Sequence, residues 1–146
     1  MIKKMAPLVL SAIMILTLLP AQAFASNHGD TGFRFNVNTS NNYGTTGSRA
    51  KQNTTSTYVK IDQVPAAFIY LHVQGFRPSS TTGSNYWANE TVGGRQTATP
   101  GQWLVRQMVY ENGGRSARLR FQRYSASGTV MGVWSPDSIG SYPRLN

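Results

Sequence analysis

The segment 66–76, AAFIYLHVQGF, constrains the fold more than any other stretch of the chain, because two kinds of side chain alternate along it. Successive side chains of a strand point to opposite faces, so an extended backbone gives this segment one aliphatic face and one aromatic and polar face. The two faces are Ile69, Leu71 and Val73 against Phe68, Tyr70, His72 and Gln74. No segment beyond residue 25 repeats with the period of a helix, and the pattern therefore predicts an all-β chain.

Shorter alternating runs predict further strands at 33–37, FRFNV, and at 58–62, YVKID. The segment between them, 38–57, is rich in Asn, Ser, Thr and Gly and lacks apolar periodicity, which predicts a long loop or a weak pair of strands. Short strands separated by turn residues are typical of sandwiches and barrels. We therefore predict a single-domain antiparallel β-sandwich or small barrel of about six to eight strands.

The C-terminal third of the chain is predicted to form a hairpin followed by one more strand. Two strand-like runs within 102–124 flank the triplet Asn112-Gly113-Gly114, and these residues accept positive φ in a tight turn. A second turn, SASG, leads into a strand at 129–134. Three consecutive strands joined in this way would form a C-terminal three-stranded meander. In this hairpin Arg118 and Arg120 point away from the core, with Arg106 across from Arg120 if the loop has three residues.

The first 25 residues are predicted to be a secretory signal peptide. A basic start is followed by an apolar run too short to span a bilayer comfortably and by small residues before Ala25, the expected cleavage position. A retained membrane anchor is the disfavoured alternative. Residues 26–146 then form one secreted β domain without a membrane-spanning segment. The chain has no Cys, which excludes disulfides, Cys-ligated metals and a lipid-modified Cys.

Charge indicates the kind of partner. The chain has 14 Lys and Arg residues against 5 Asp and Glu residues, a formal net charge of +9 at pH 7. A basic exported domain is attracted to anionic cell-wall polymers, lipid surfaces or acidic glycans, whereas export argues against nucleic acid as the partner. The alternative is that the charge only keeps a small domain soluble.

Two kinds of side chain are candidates for binding such a partner. Arginines on one strand face attract anions unless Glu111 or Asp137 neutralises them, and aromatic side chains offer apolar area with a polar tip. For the aromatic face of 66–76 we favour packing on a second sheet over exposure, which makes the segment around residue 86 the better candidate for an exposed contact. The candidate ligand-binding residues are Arg106, Arg118, Arg120, Tyr86, Trp87 and Tyr70.

The sequence does not predict an enzyme. A hydrolase using Glu90, Glu111 or His72 is the disfavoured alternative, since no spacing pairs the carboxylates and no nucleophile motif surrounds Ser135. We also expect no metal site and no cofactor. The run 132–138, GVWSPDS, is interpreted as the end of the last strand followed by a turn, in which Asp137 either bonds the neighbouring arginines or leaves them free.

The signal peptide, DTGFRFNV at 30–37, SRAKQ at 48–52 and GVWSPDS at 132–138 together resemble small secreted proteins of Gram-positive bacteria whose function is uncharacterised. The resemblance implies an extracellular location and brings no catalytic residues. Lactococcin-type bacteriocins are the second family considered, although this chain is longer and lacks their His-rich and Tyr-rich motifs. The resulting hypothesis is a secreted, cationic, non-enzymatic domain that binds an anionic or glycan component at the cell surface, with a bacteriocin-like antibacterial protein as the alternative.

Overall fold

The computed structural model describes residues 26–146, and the predicted signal peptide lies outside these residues. The described part is all-β, as predicted, and consists of two antiparallel sheets. None of its segments is a helix long and apolar enough to cross a membrane. The strands are β1 Thr31–Val37, β2 Tyr43–Thr45, β3 Arg49–Ala50, β4 Thr57–Gln63, β5 Ile69–Pro78, β6 Asn85–Asn89, β7 Gln96–Ala98, β8 Gly101–Val105, β9 Ser116–Gln122 and β10 Gly128–Ser135.

The core lies between a four-stranded sheet with the order β1-β10-β4-β8 and a six-stranded sheet with the order β2-β9-β5-β6. Two short strands complete the second sheet, because β3 pairs with β9 and β7 pairs with β5. The aliphatic face of β5 is fully buried, as predicted. Trp134 on β10 is 1% exposed and packs in the same cluster. Apolar burial of this kind supplies the main stabilisation of a domain without disulfides.

The predicted hairpin at 102–124 and the C-terminal meander are wrong. β8 pairs with β4 in the four-stranded sheet, β9 pairs with β5 in the other, and β10 lies between β1 and β4. The turn at Gly113 does exist, with a positive φ of 85°, but it carries the chain from one sheet to the other. The reason lies in Gln107, whose side-chain oxygen accepts the Val109 N–H at 2.8 Å and whose amide donates to the Thr55 carbonyl. These bonds turn the backbone where alternation alone predicts a continuing strand.

The segment 38–57 contains two short strands, β2 and β3, which form neither the long loop nor the weak pair of strands that was predicted. β2 and β3 do not pair with each other; each adds to β9. Gly44 on β2 allows this approach, because a Cβ atom there would stand 2.1 Å from the ring of Phe35.

The turn after β10 forms a buried clasp between the two ends of the described chain. Asp137 Oδ1 lies 2.6 Å from Lys51 Nζ, and both side chains are fully buried. Asp137 Oδ2 accepts the backbone N–H of Asn27 at 2.7 Å and that of Gln52 at 3.2 Å. Burial lowers the pKa of Lys51, and the contact with Asp137 opposes that shift. Asp137 therefore bonds a lysine and two backbone amides and leaves the arginines of β9 free.

Candidate functional site

The most distinctive surface of the described chain is the side of the six-stranded sheet that faces away from the core. Strand alternation brings its members together: Arg118 and Arg120 stand between the buried residues of β9, opposite Gln74 and His72 of β5. We call this surface the arginine–aromatic face. It consists of Tyr43, Tyr70, His72, Trp87, Arg95, Arg118 and Arg120.

Each of the three arginines on the arginine–aromatic face stacks on an aromatic ring. The Cζ atom lies 3.8 Å from the ring centroid of Tyr70 for Arg95, 4.1 Å from that of Trp87 for Arg118, and 3.9 Å from that of Tyr43 for Arg120. These distances are well inside the range of a cation–π interaction. Stacking uses the flat side of a guanidinium and leaves its N–H edge available to an acceptor in the plane.

Few of those N–H donors have partners among residues 26–146. Arg118 Nε donates to Gln74 Oε1 at 2.8 Å, and Arg95 Nη1 lies 3.4 Å from Gln122 Oε1. Arg120 forms no side-chain hydrogen bond to the described residues. The guanidiniums are thus held in place mainly by rings, with most of their hydrogen-bonding capacity unused.

No carboxylate within residues 26–146 pairs with the arginine–aromatic face. The ion pairs of that part of the chain join Asp137 to Lys51, Asp62 to Lys60 and Glu90 to Arg77. Burial lowers the pKa of Arg118, and the neighbouring charge of Arg120 lowers it further. The face therefore concentrates positive charge that the described chain does not neutralise, which favours an external anion.

His72 occupies the middle of the arginine–aromatic face. Its Nδ1 atom is buried and has no hydrogen-bond partner among the described residues. Burial lowers the pKa of His72, as do the charges of Arg120 and Arg95, whereas the Asn89 side chain acts in the opposite direction. A neutral ring is therefore favoured as long as the face is empty of anions.

Four of the six predicted ligand-binding residues lie on this face: Tyr70, Trp87, Arg118 and Arg120. Arg106 does not, because the predicted hairpin is absent; it follows β8, where its backbone N–H donates to Asn146 Oδ1 at 2.8 Å. Tyr86 precedes Trp87 on β6 and so points to the other side of the sheet, where Arg77 Cζ lies 5.6 Å from its ring.

The expectation that the aromatic side of β5 packs on a second sheet is wrong. That side faces outward, and its half-buried residues are covered by side chains of neighbouring segments. Tyr124 stacks on Phe68 with 4.1 Å between ring centroids, and Arg95 covers Tyr70. Sequence reasoning missed Arg95 and Tyr43, because the short strands β7 and β2 beside them have no alternating pattern long enough to recognise.

The groups considered for hydrolysis are placed as follows. Ser135 Oγ donates to the carbonyl oxygen of Asp137 at 2.9 Å inside the buried clasp, whereas His72 lies on the outward side of the other sheet. Glu90 is buried, pairs with Arg77 and accepts a hydrogen bond from Asn112 at 2.6 Å. Glu111 lines a shallow groove of about 160 Å³. Residues 26–146 contain no group of three His, Asp or Glu side chains arranged to hold a metal ion.

A separate cavity of about 220 Å³ lies next to the clasp. It is lined by His28, Asp30, Ser135 and two tyrosines, Tyr58 and Tyr142, whose ring centroids are 4.8 Å apart. Burial raises the pKa of Tyr58, and Asp30 raises it further. The mixed lining lacks the convergent charge of the arginine–aromatic face.

Comparison with known proteins places the chain in a family without assigning an activity. No curated protein and no solved structure matches it. One family model matches residues 21–138, which covers most of the chain and ends at the clasp. The resemblance to an uncharacterised family is thereby confirmed. The chain belongs to the family described as Protein of unknown function (DUF2712).

Proposed function

We propose that this chain is a secreted, non-enzymatic domain that binds an anionic polymer at the bacterial cell surface through the arginine–aromatic face. One observation carries the proposal. Three guanidiniums, those of Arg118 and Arg120 on β9 and of Arg95 just before β7, are stacked on aromatic rings and have no carboxylate partner in the described chain. The Gram-positive source and the extracellular location belong to the proposal and follow from the predicted signal peptide and the resemblance stated above.

The arrangement suits a polymer with recurring charges. Arg118 and Arg120 are two residues apart on one strand, so their Cα atoms are separated by about 7 Å. Rings that hold the guanidiniums reduce the side-chain entropy lost when a ligand is bound. The exposed, charged character of the contact predicts binding that weakens as salt is added.

The test compares two double variants with the same change in charge. Arg118→Gln with Arg120→Gln alters the face, whereas Arg34→Gln with Arg144→Gln removes two exposed charges elsewhere. Charge-assisted hydrogen bonds contribute about 1.5–3 kcal/mol each, so the first pair should weaken binding to purified cell walls at least about tenfold. The control pair should change it less than about threefold, as expected for diffuse charge.

Two results contradict the proposal. Equal weakening by both pairs means that net charge alone drives retention, and unchanged retention of the first pair removes the face from the contact. Thermal melting of each variant ensures that folded proteins are compared. Secretion is tested separately, by fractionation and by N-terminal sequencing of the exported chain, which should begin at Ser26.

A second candidate is an antibacterial protein that acts on another cell's envelope. The observation in its favour is the exposed Phe76, whose ring lies 5.1 Å from that of Trp87 at one end of the arginine–aromatic face. Cationic side chains beside aromatic tips suit an anionic bilayer interface. Purified mature protein on a lawn of related bacteria tests this function, and the absence of clearing at high concentration counts against it.

A further inference from the structure

We propose that His72, Arg95 and Arg120 form a subsite for one phosphodiester group of a cell-wall polymer, and that filling this subsite is accompanied by uptake of a proton on His72. The inference rests on the proposed function and specifies its ligand chemistry. It adds to the proposed function a specific position for one anionic group and a specific dependence of binding on pH.

The first step is the placement of two arginine-bearing segments on either side of His72. His72 pairs with Arg120 across β5 and β9. On the other side, Leu71 pairs with Gln96, so the preceding residue of that segment, Arg95, stands beside His72. Both guanidiniums lower the pKa of His72. The guanidiniums of Arg95 and Arg120 lie over the rings of Tyr70 and Tyr43, and we infer that both side chains reach an oxyanion placed above His72.

The second step concerns the other groups that face His72. Gln74 and Tyr70 are its neighbours on β5, Asn89 lies on β6 and Arg118 is diagonal to it on β9. All of these are neutral or positive. A protonated ring therefore gains a counter-charge only when an anion arrives from outside, because the side chain that favours its charged form in the described chain, Asn89, is neutral.

The third step is the coupling between anion and proton. An opposite charge within about 4–6 Å raises the pKa of a histidine by about 1–3 units. Coupling of this kind is reciprocal, so the proton strengthens the binding of the anion by the same factor. Affinity should therefore rise as the pH falls through the range in which His72 accepts its proton.

The dependence of binding on pH distinguishes phosphodiesters from carboxylates. Carboxyl groups have ordinary pKa values of about 4 and begin to lose their charge on the acid side of the range in which His72 becomes positive. A phosphodiester keeps its charge throughout that range, and its oxygens accept the planar N–H edges of arginines. A phosphodiester polymer thus gains affinity on acidification without losing its own charge.

The experiment is calorimetric titration of the mature domain with poly(glycerol phosphate) at about pH 5.5 and about pH 7.5, on either side of the ordinary histidine pKa. Two buffers with different ionisation enthalpies count the protons taken up. Wild-type affinity should increase about tenfold on acidification, with net proton uptake. His72→Gln should lose both the uptake and the increase. His28→Gln, which alters an exposed histidine outside the face, should retain both.

The outcomes distinguish failure of the His72 subsite from failure of the proposed function. Binding without proton uptake, or uptake that persists in His72→Gln, overturns the subsite while the proposed function stands. A further titration at about pH 4, where carboxyl groups are partly neutral, compares the two ligand classes, and polygalacturonate that binds there as tightly as poly(glycerol phosphate) overturns the assignment to phosphodiesters. Failure of the wild-type domain to bind either polymer at either pH overturns the proposed function itself. Thermal melting of His72→Gln excludes unfolding as the cause, and His72→Asn provides a second variant with the same expected loss.

Discussion

Replacing Asp137 by Asn should destabilise the domain more than any other single change of charge described above. The carboxylate is fully buried and accepts hydrogen bonds from Lys51, Asn27 and Gln52. Lys51 is equally buried, and its other bond goes to the carbonyl oxygen of Thr55. Removing the carboxylate charge leaves an ammonium in the interior without its counter-ion, and the amide offers the backbone donors a poorer acceptor.

The expected loss follows from the cost of an unpaired buried charge. Breaking a buried ion pair by removing one partner costs about 3–5 kcal/mol, a large share of the typical domain stability of about 5–15 kcal/mol. Lys51→Met should cost less, about 1.5–3 kcal/mol, because the remaining carboxylate keeps the N–H groups of Asn27 and Gln52. The double variant should then be less destabilised than the sum of the single variants, since it leaves no unpaired ammonium.

Urea unfolding of the mature domain measures these differences. With an m value of about 2 kcal/mol per M, Asp137→Asn should lower the midpoint by about 2 M. The matched control is Asp62→Asn, which breaks the exposed pair with Lys60 and should cost less than about 1 kcal/mol. Equal midpoints for Asp137→Asn and Asp62→Asn, or strict additivity of the Lys51 and Asp137 variants, would refute the reasoning.

Three further predictions concern other parts of the fold. Burial lowers the pKa of His72 in the folded state, so the unfolded state binds more protons in the pH range between the folded pKa and 6.5. The melting temperature of the free domain should therefore fall as the pH drops through this range. His72→Gln should lose this part of the fall. Gly132→Ala should destabilise the domain by about 2 kcal/mol or more in urea, because the new Cβ would stand 2.0 Å from the carbonyl oxygen of Lys60; wild-type stability in this variant would contradict the close approach. Deleting residues 143–146 should promote self-association, visible as larger species in gel filtration, because the C-terminal segment bonds the backbone of Leu104 and covers the edge of β8; a monodisperse truncated domain would show that this cover is dispensable.

The fold class could be predicted because it depends on local alternation. The segment 66–76 identified the longest strand, and the inward position of its aliphatic residues followed from the two-residue period. The strand order could not be predicted, because the alternation of side chains along a strand does not specify which other strand pairs with it. The turn at Asn112-Gly113-Gly114 has the composition of a hairpin turn, but the side-chain bonds of Gln107 and the pairing of β8 with β4 send the two runs to different sheets.

The part of the candidate site that lies on one long strand could be predicted from the sequence, and the part that depends on strand pairing could not. Arg118 and Arg120 alternate with buried residues on one long strand, so their shared outward direction is visible in the sequence. Arg95 and Tyr43 come from polar segments with only three-residue strands beside or around them. Their place on the face depends on long-range pairing to β5 and β9, which leaves no local pattern.

The partners of the arginines, more than their number, distinguish the arginine–aromatic face from the rest of the basic surface. Arg49 donates to the backbone carbonyls of Gly29 and Trp134, Arg115 to those of Tyr110 and Gly114, and Arg123 to that of Ser125. These side chains tie loops to strands, and a carbonyl acceptor uses the N–H donors that an external anion would need.

The arginines of the face have rings beneath them and only amide oxygens at their edges. Both lysines of the described chain and Arg77 are paired with acids, whereas Arg95, Arg118 and Arg120 have no acid partner among the described residues. A change of net charge elsewhere leaves that arrangement intact, and binding that depends on the face should therefore respond to Arg118 and Arg120 and hardly to Arg34 and Arg144.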